Sequence, residues 1–382
     1  MRYRRFGRLD WDVSVLGFGC MRLPTTDGRG YSELVDEAAS IEMIRRGIDG
    51  GINYVDTAYP YHNGNGEIVV GRALGDGYRN NVRLATKSPV WLIEKAGDFD
   101  AYLAEQMGRL RTEHIDLYLL HALNAPRWEA ILRLGVLERA EAAMRDGRIG
   151  SLGFSFHDRP EVFRTIIDGY PGWTFCQIQY NYLDTDNQAG TAGLRYAAAK
   201  GLAVVIMEPL LGGRLANPPE AVAKILASEA PGRTAADVAL QWVWGQPEVT
   251  IVLSGMGSLA QVEENLRSAE KARAGAFGPE DRALIERLRR AYRERAVIPC
   301  TQCDYCLPCP NGVKIPRNFE LYNDALVHGD PAAPRFSYGR FLGEKERASA
   351  CTQCRECEAK CPQSIPISEW MPKVHATLRG KS

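Results

Sequence analysis

INYVDTAYPYHNGNGEIVVGRALGDGYRNNVRLATKSP, residues 52–89, contains one complete repeat of the pattern that decides the fold. A short β-branched run at 52–56 leads into a polar loop. An amphipathic stretch follows at 67–74, and a second short run at 82–86. Strand, helix and strand in that order make a βαβ unit with parallel strands. The pattern extends in both directions. Further strands are expected at 13–18, 115–120, 151–155, 174–179, 203–207 and 250–254. Further helices are expected at 38–49, 99–109, 127–145, 160–167, 189–199, 234–245 and 259–269. Eight of each over about 250 residues predict an α/β fold closed as a (β/α)8 TIM barrel, with an open doubly wound sheet as the alternative. Residues 278–296 read as a charged amphipathic helix, with Pro279 near its start. Beyond it the composition turns Cys- and Pro-rich, so the barrel is expected over 1–297 and a second domain over 298–382.

The chain has 382 residues, 45% hydrophobic and 25% charged, which excludes wholesale disorder. Lys+Arg and Asp+Glu are both 47, so no net charge draws the protein to nucleic acid or to an anionic membrane. The opening MRYRRFGRLDWDVSVLGFG lacks the apolar core of a signal peptide, and no apolar run is long enough to span a bilayer. A cytoplasmic location is expected, where cysteines serve as ligands more often than as disulfides.

Of ten cysteines, Cys20 and Cys176 are isolated and eight lie between positions 300 and 361. One run is Cys351-x2-Cys354-x2-Cys357-x3-Cys361-Pro362, the spacing of bacterial ferredoxins. Three closely spaced thiolates wrap one 4Fe-4S cubane, and the fourth reaches the other cubane. The other run, Cys300-x2-Cys303-x2-Cys306-x2-Cys309-Pro310, is one residue shorter in its last gap. The expected ligation is crossed: Cys300, Cys303, Cys306 and Cys361 on one cluster, and Cys351, Cys354, Cys357 and Cys309 on the other. The short gap leaves one cluster or two open, and zinc is the competing metal. The tail thus reads as a small, Cys-rich, α-helical ferredoxin-like iron–sulfur domain.

Several strands end on or just before a polar residue: Asp56, Lys87 after Thr86, His121 after Leu120, Ser155 and Gln179. A barrel gathers such ends on one rim. The pieces NYVDTAYPYHNGNGEIVVGRAL (53–74), LATKSP (84–89), IDLYLLHA (115–122), GFS (153–155) and IQYN (178–181) resemble the aldo-keto reductase family, in order along nearly the whole barrel. With the cysteine tail, the chain resembles the branch that carries a C-terminal 4Fe-4S domain. The resemblance implies a catalytic tetrad of Asp56, Tyr61, Lys87 and His121. Tyr61 would donate the proton, Lys87 would stabilise the tyrosinate, Asp56 would hold Lys87, and His121 would orient a small-molecule carbonyl substrate. Tyr59 and His62 flank Tyr61, but only Tyr61 keeps the family spacing from Asp56.

The resemblance also places a nicotinamide cofactor on Ser155, Gln179, Met207, Gly212, Gly213, Gly255, Gly257, Ser258, Glu264 and Asn265. Phe156 stands where the family has Asn, Met207 where it has a stacking aromatic, and the usual basic residues for a 2′-phosphate are missing. NADP, NAD and a flavin all stay open. A hydride carries two electrons and a cubane normally passes one, so coupling the two calls for an intermediary such as a flavin. Three readings follow. A ferredoxin-type partner feeds the clusters; the clusters are structural beside an ordinary reductase; or the chain is a redox-sensing regulator.

Overall fold

The structure, a computed structural model, describes residues 1–29, 32–300 and 305–380. The chain forms two compact units, Met1–Leu215 with Ala236–Gly278, and Ala216–Ala235 with Pro279–Ser382. Among the described residues no helix is long and apolar enough to cross a membrane.

The first unit is the barrel. It opens with a hairpin of β1 (Tyr3–Arg5) and β2 (Asp12–Ser14), paired antiparallel. The eight barrel strands are β3 (Leu16–Gly19), β4 (Tyr54–Asp56), β5 (Arg83–Ser88), β6 (Ile115–Leu123), β7 (Ile149–Phe156), β8 (Phe175–Gln179), β9 (Ala203–Met207) and β10 (Ile251–Ser254). They close in the order β10-β3-β4-β5-β6-β7-β8-β9. The sheet is therefore a closed parallel barrel and not an open sheet. The run expected as one strand at 13–18 splits: Asp12–Ser14 joins the hairpin and Leu16–Gly19 enters the barrel. Phe6, in the hairpin turn, is fully buried and packs into the barrel's interior cluster.

Alternation along the strands determines what the rim holds. Tyr54, Ala85, Leu119 and Val205 lie in the interior cluster. Side chains on a strand return to the same face every second residue. Two residues on from these stand Asp56, Lys87, His121 and Met207. Phe175 starts the same series on β8, which ends at Gln179.

The helix expected over 127–145 is two helices, Ala125–Arg133 and Val136–Arg145. Gly135 at φ 63° breaks it, a left-handed conformation that suits glycine. In the second unit, a helix at Glu220–Glu229 packs on Pro279–Arg293, with Arg287 Nε 2.6 Å from Glu229 Oε2. Helices Ile315–His328, Ala332–Phe341 and Ile367–Leu378 enclose a core around Val313, Phe319, Met371 and Val374.

Candidate functional site

The rim brings three of the four tetrad residues into direct contact. Lys87 Nζ donates to Asp56 Oδ1 at 2.6 Å, to the Thr57 carbonyl at 2.7 Å and to Tyr61 Oη at 3.3 Å. Lys87 is 1% exposed and Asp56 3%. Burial pulls the Lys87 ammonium down, but Asp56 and Tyr61 outweigh it and leave it above its ordinary value. Lys87 therefore stays charged beside the phenol. Burial pushes the Asp56 carboxyl up, and Lys87 opposes that shift.

His121 completes the set from the end of β6. Its ring stands edge-on to Tyr61 with 6.1 Å between centroids, and 5.2 Å from the Trp91 ring. Burial, then the charges of Lys87, His157 and Arg127, lower its imidazole well below the usual histidine range. A neutral imidazole beside a charged lysine can hydrogen-bond a carbonyl without adding a second cation.

The loop that carries Tyr61 is held in an uncommon conformation. His62, Asn63 and Gly64 have φ of 52°, 55° and 90°. Asn63 Nδ2 donates to Glu33 Oε2 at 3.0 Å, and Asn65 Nδ2 to the Glu33 carbonyl at 2.9 Å. His62 Nδ1 donates to the Ser32 carbonyl at 2.8 Å. Tyr59 Oη donates to Glu105 Oε2 at 3.2 Å. Of the three neighbours at 59, 61 and 62, Tyr61 is the one bonded to Lys87 Nζ.

Ser155 Oγ accepts from the Ala122 N–H at 2.7 Å, and so supports the backbone next to His121, where Ala122 has φ 53°. Gln179 Nε2 donates to Asp184 Oδ2 at 2.8 Å, and its Oε1 accepts from Gln188 at 2.8 Å. Asn265 is buried and donates to Ser254 Oγ at 2.9 Å. Ser258 caps the helix Leu259–Glu270, and the Gly257 N–H is taken by Gln261 Oε1 at 2.8 Å. Met207 and Glu264 are half-buried. Gly212 and Gly213 lie in left-handed conformations after β9.

One residue here escaped sequence reasoning. A Cβ on Gly212 would meet Arg22 Nη2 at 3.0 Å, and a Cβ on Gly255 would meet the Arg22 stem at 3.2 Å. Arg22, exposed just beyond β3, thus touches both glycine loops, and its guanidinium fits a phosphate between them. That cradle suits the phosphate end of a dinucleotide. Ser155 and Gln179, where the resemblance places a carboxamide, already bond to protein groups. The one sequence signal for Arg22 was its place just past a barrel strand.

In the second unit, one small cavity is lined by Cys300, Cys306 and Cys361, with Phe319, Ile315 and Ile365 around them. Burial, then the charges of Cys351, Glu358 and Cys309, push the Cys357 thiol up to about 11. The cavity thus combines cysteines of both runs. Thiolates around an apolar cavity suit an iron–sulfur cluster, whose ligands bind different irons and stand farther apart than ligands of one ion. Cys354 is exposed, and Cys303 lies outside the described residues.

Comparison with known proteins agrees with both units. The aldo/keto reductase family model matches residues 15–274, and a 4Fe-4S dicluster domain matches 299–365. The uncharacterized oxidoreductase YqkF of Bacillus subtilis is 28% identical over 309 residues, covering 72% of this chain and 92% of that protein. An NADH-specific methylglyoxal reductase of Escherichia coli is 25% identical, covering 74% of this chain and 98% of its own. The holo structure of aldo-keto reductase AKR11C1 from Bacillus halodurans superposes with TM-score 0.62 at 28% identity, covering 75% of this chain and 96% of that one. The chain belongs to the aldo/keto reductase family and is an oxidoreductase with a 4Fe-4S domain following its barrel.

Proposed function

We propose that the barrel reduces a small carbonyl compound with Tyr61 as proton donor. The contact of Lys87 Nζ with Tyr61 Oη carries this reading. A fixed ammonium at that distance stabilises the phenolate left after the proton goes to the carbonyl oxygen. Asp56 keeps Lys87 charged and aimed at Tyr61. His121, neutral, hydrogen-bonds the carbonyl oxygen and presents it to Tyr61. The hydride for the carbonyl carbon would come from a nicotinamide cofactor bound beside this site. Arg22, between the loops of Gly212 and Gly255, would hold the cofactor's phosphates, with the Ser258 hydroxyl close in sequence. Kinship with a methylglyoxal reductase supports a small carbonyl substrate and leaves NADH beside NADPH as reductant.

In the second unit, Cys300, Cys306 and Cys361, with Cys303, hold one cluster, and Cys309, Cys351, Cys354 and Cys357 the other. A second reading rests on the carboxamide end of the barrel site. Ser155 and Gln179 are tied to protein groups there, and Met207 replaces an aromatic shelf. In that reading a flavin replaces the nicotinamide, and a ferredoxin-type partner supplies single electrons through the clusters.

The test uses anaerobically purified protein, with iron, sulfide and flavin measured first. NADPH and NADH are then added separately, with and without aldehyde. Aldehyde-dependent oxidation of either nicotinamide supports the first reading. Bound flavin, with no nicotinamide oxidation, supports the second.

A further inference from the structure

The outward side of β5, away from the Lys87 side chain, meets a buried charge that the proposed chemistry does not use. Glu67, on the helix Asn65–Ala73, is 0% exposed. Its Oε1 accepts from Thr86 Oγ1 and from Gln106 Nε2, each at 2.6 Å. Its Oε2 accepts from Arg109 Nη1 at 3.3 Å. Burial pushes the carboxyl up against these partners. An apolar contact would join helix to strand without that desolvation cost, so the carboxylate calls for a reason.

The network reaches the surroundings of both catalytic side chains. Thr86 adjoins Lys87 in β5, and Gln106 Nε2 also donates to the Lys87 carbonyl at 3.1 Å. Gln106 Oε1 accepts from Tyr118 Oη at 2.6 Å, which fixes the amide's orientation. On the other side, Arg109 touches the Tyr61 loop before and after the tyrosine. Its Nη1 donates to the Tyr59 carbonyl at 3.5 Å, and a Cβ on Gly64 would lie 3.1 Å from the same nitrogen. Its guanidinium also covers the Tyr59 ring at 4.4 Å and pairs with Glu105. One carboxylate therefore ties the strand bearing Lys87 to the loop bearing Tyr61.

We propose that Glu67 is a positioning residue which, through Thr86, Gln106 and Arg109, sets the separation of Lys87 Nζ and Tyr61 Oη on which proton donation depends. The inference rests on the assignment of Tyr61 as donor. Glu67→Gln keeps the shape but turns an amide toward the Gln106 amide and weakens the Arg109 contact. Thr86→Val removes one hydroxyl donor, and Thr86→Ser restores it.

The experiment follows the Tyr61 phenol directly in cluster-loaded, full-length protein carrying 13C at tyrosine Cζ. The Tyr61 resonance is the one that Tyr61→Phe removes. Its titration midpoint should rise in Glu67→Gln and Thr86→Val and stay at the wild-type value in Thr86→Ser. Alongside it, kcat should fall about 10- to 100-fold with little change in the nicotinamide KM. An unmoved midpoint in folded Glu67→Gln overturns the proposal. Should that variant fail to fold, Thr86→Val decides in the same way. A raised midpoint in an enzyme that reduces no carbonyl supports the positioning role and counts against the donor assignment alone.

Discussion

Lys87 Nζ and Asp56 Oδ1 stand 2.6 Å apart with both side chains all but sealed from water. Lys87→Met leaves a buried carboxylate without its counter-charge and should destabilise the barrel by about 3–5 kcal/mol. Lys87→Met combined with Asp56→Asn removes both charges and should recover much of that loss. Denaturant unfolding of the two variants checks this. Equal or greater destabilisation in the double variant argues against coupling of the pair.

Tyr61→Phe removes one oxygen and keeps the ring. It should lower kcat for carbonyl reduction by at least about 10²-fold, the scale of a lost general acid. The visible absorption of the iron–sulfur domain and the melting temperature should stay as in the parent. Undiminished turnover would exclude Tyr61 as the donor.

Stability should fall on the acid side. Burial lowers His121 and His62 below the ordinary 6.5, although hydrogen bonds of His62 to backbone carbonyls oppose its shift. The unfolded chain therefore binds more protons than the folded one once pH drops past 6.5. Stability present above that pH is lost below it. Unfolding free energies at about pH 7.5 and pH 5.5 should differ more in the wild type than in His121→Gln, which cannot take up that proton. A variant with the same pH slope would rule out His121 as a cause.

Cysteine pairing across the two runs has a direct test. If Cys300 and Cys361 share a cluster, Cys300→Ser with Cys361→Ser should retain about four of eight irons. Loss of nearly all iron in that double variant would instead favour ligation within each run.

Asp116 marks the opposite end of the barrel. It is 6% exposed and accepts from Arg79 at 2.7 Å, Arg83 at 2.8 Å and the Leu84 N–H at 2.9 Å. Asp116→Ala should cost about 1–3 kcal/mol of stability, since Arg79, Arg83 and the Leu84 N–H lose a buried acceptor. Turnover of the folded fraction should be unchanged, because barrel chemistry sits at the other ends of the strands. A fall in kcat at full folding would contradict that division.

The barrel is legible in the sequence because its strands are short β-branched runs between amphipathic stretches. The rim is legible because Asp56, Lys87 and His121 end three of those runs. The hairpin is not. Its strands have three residues each, and Tyr3–Arg5 reads as a charged opening segment. The break at Gly135 is hidden because apolar spacing continues across it. Arg22 looks like any surface arginine until folding brings Gly212 and Gly255 to it from far along the chain. Glu67 reads as the polar face of a helix, and its partners Thr86 and Gln106 come from separate elements. Pattern reports which face a residue takes, while pairing across layers appears only in three dimensions.

The shared cavity of Cys300, Cys306 and Cys361 has a consequence for synthesis. The ribosome releases Cys361 more than fifty residues after Cys306. Until then an iron–sulfur delivery protein would meet an incomplete ligand set, however well the barrel has folded. Under the crossed arrangement, metallation therefore waits until Cys361 has emerged. Once complete, it staples the two ends of the intervening helices together and removes the entropy of an open loop from the unfolded tail.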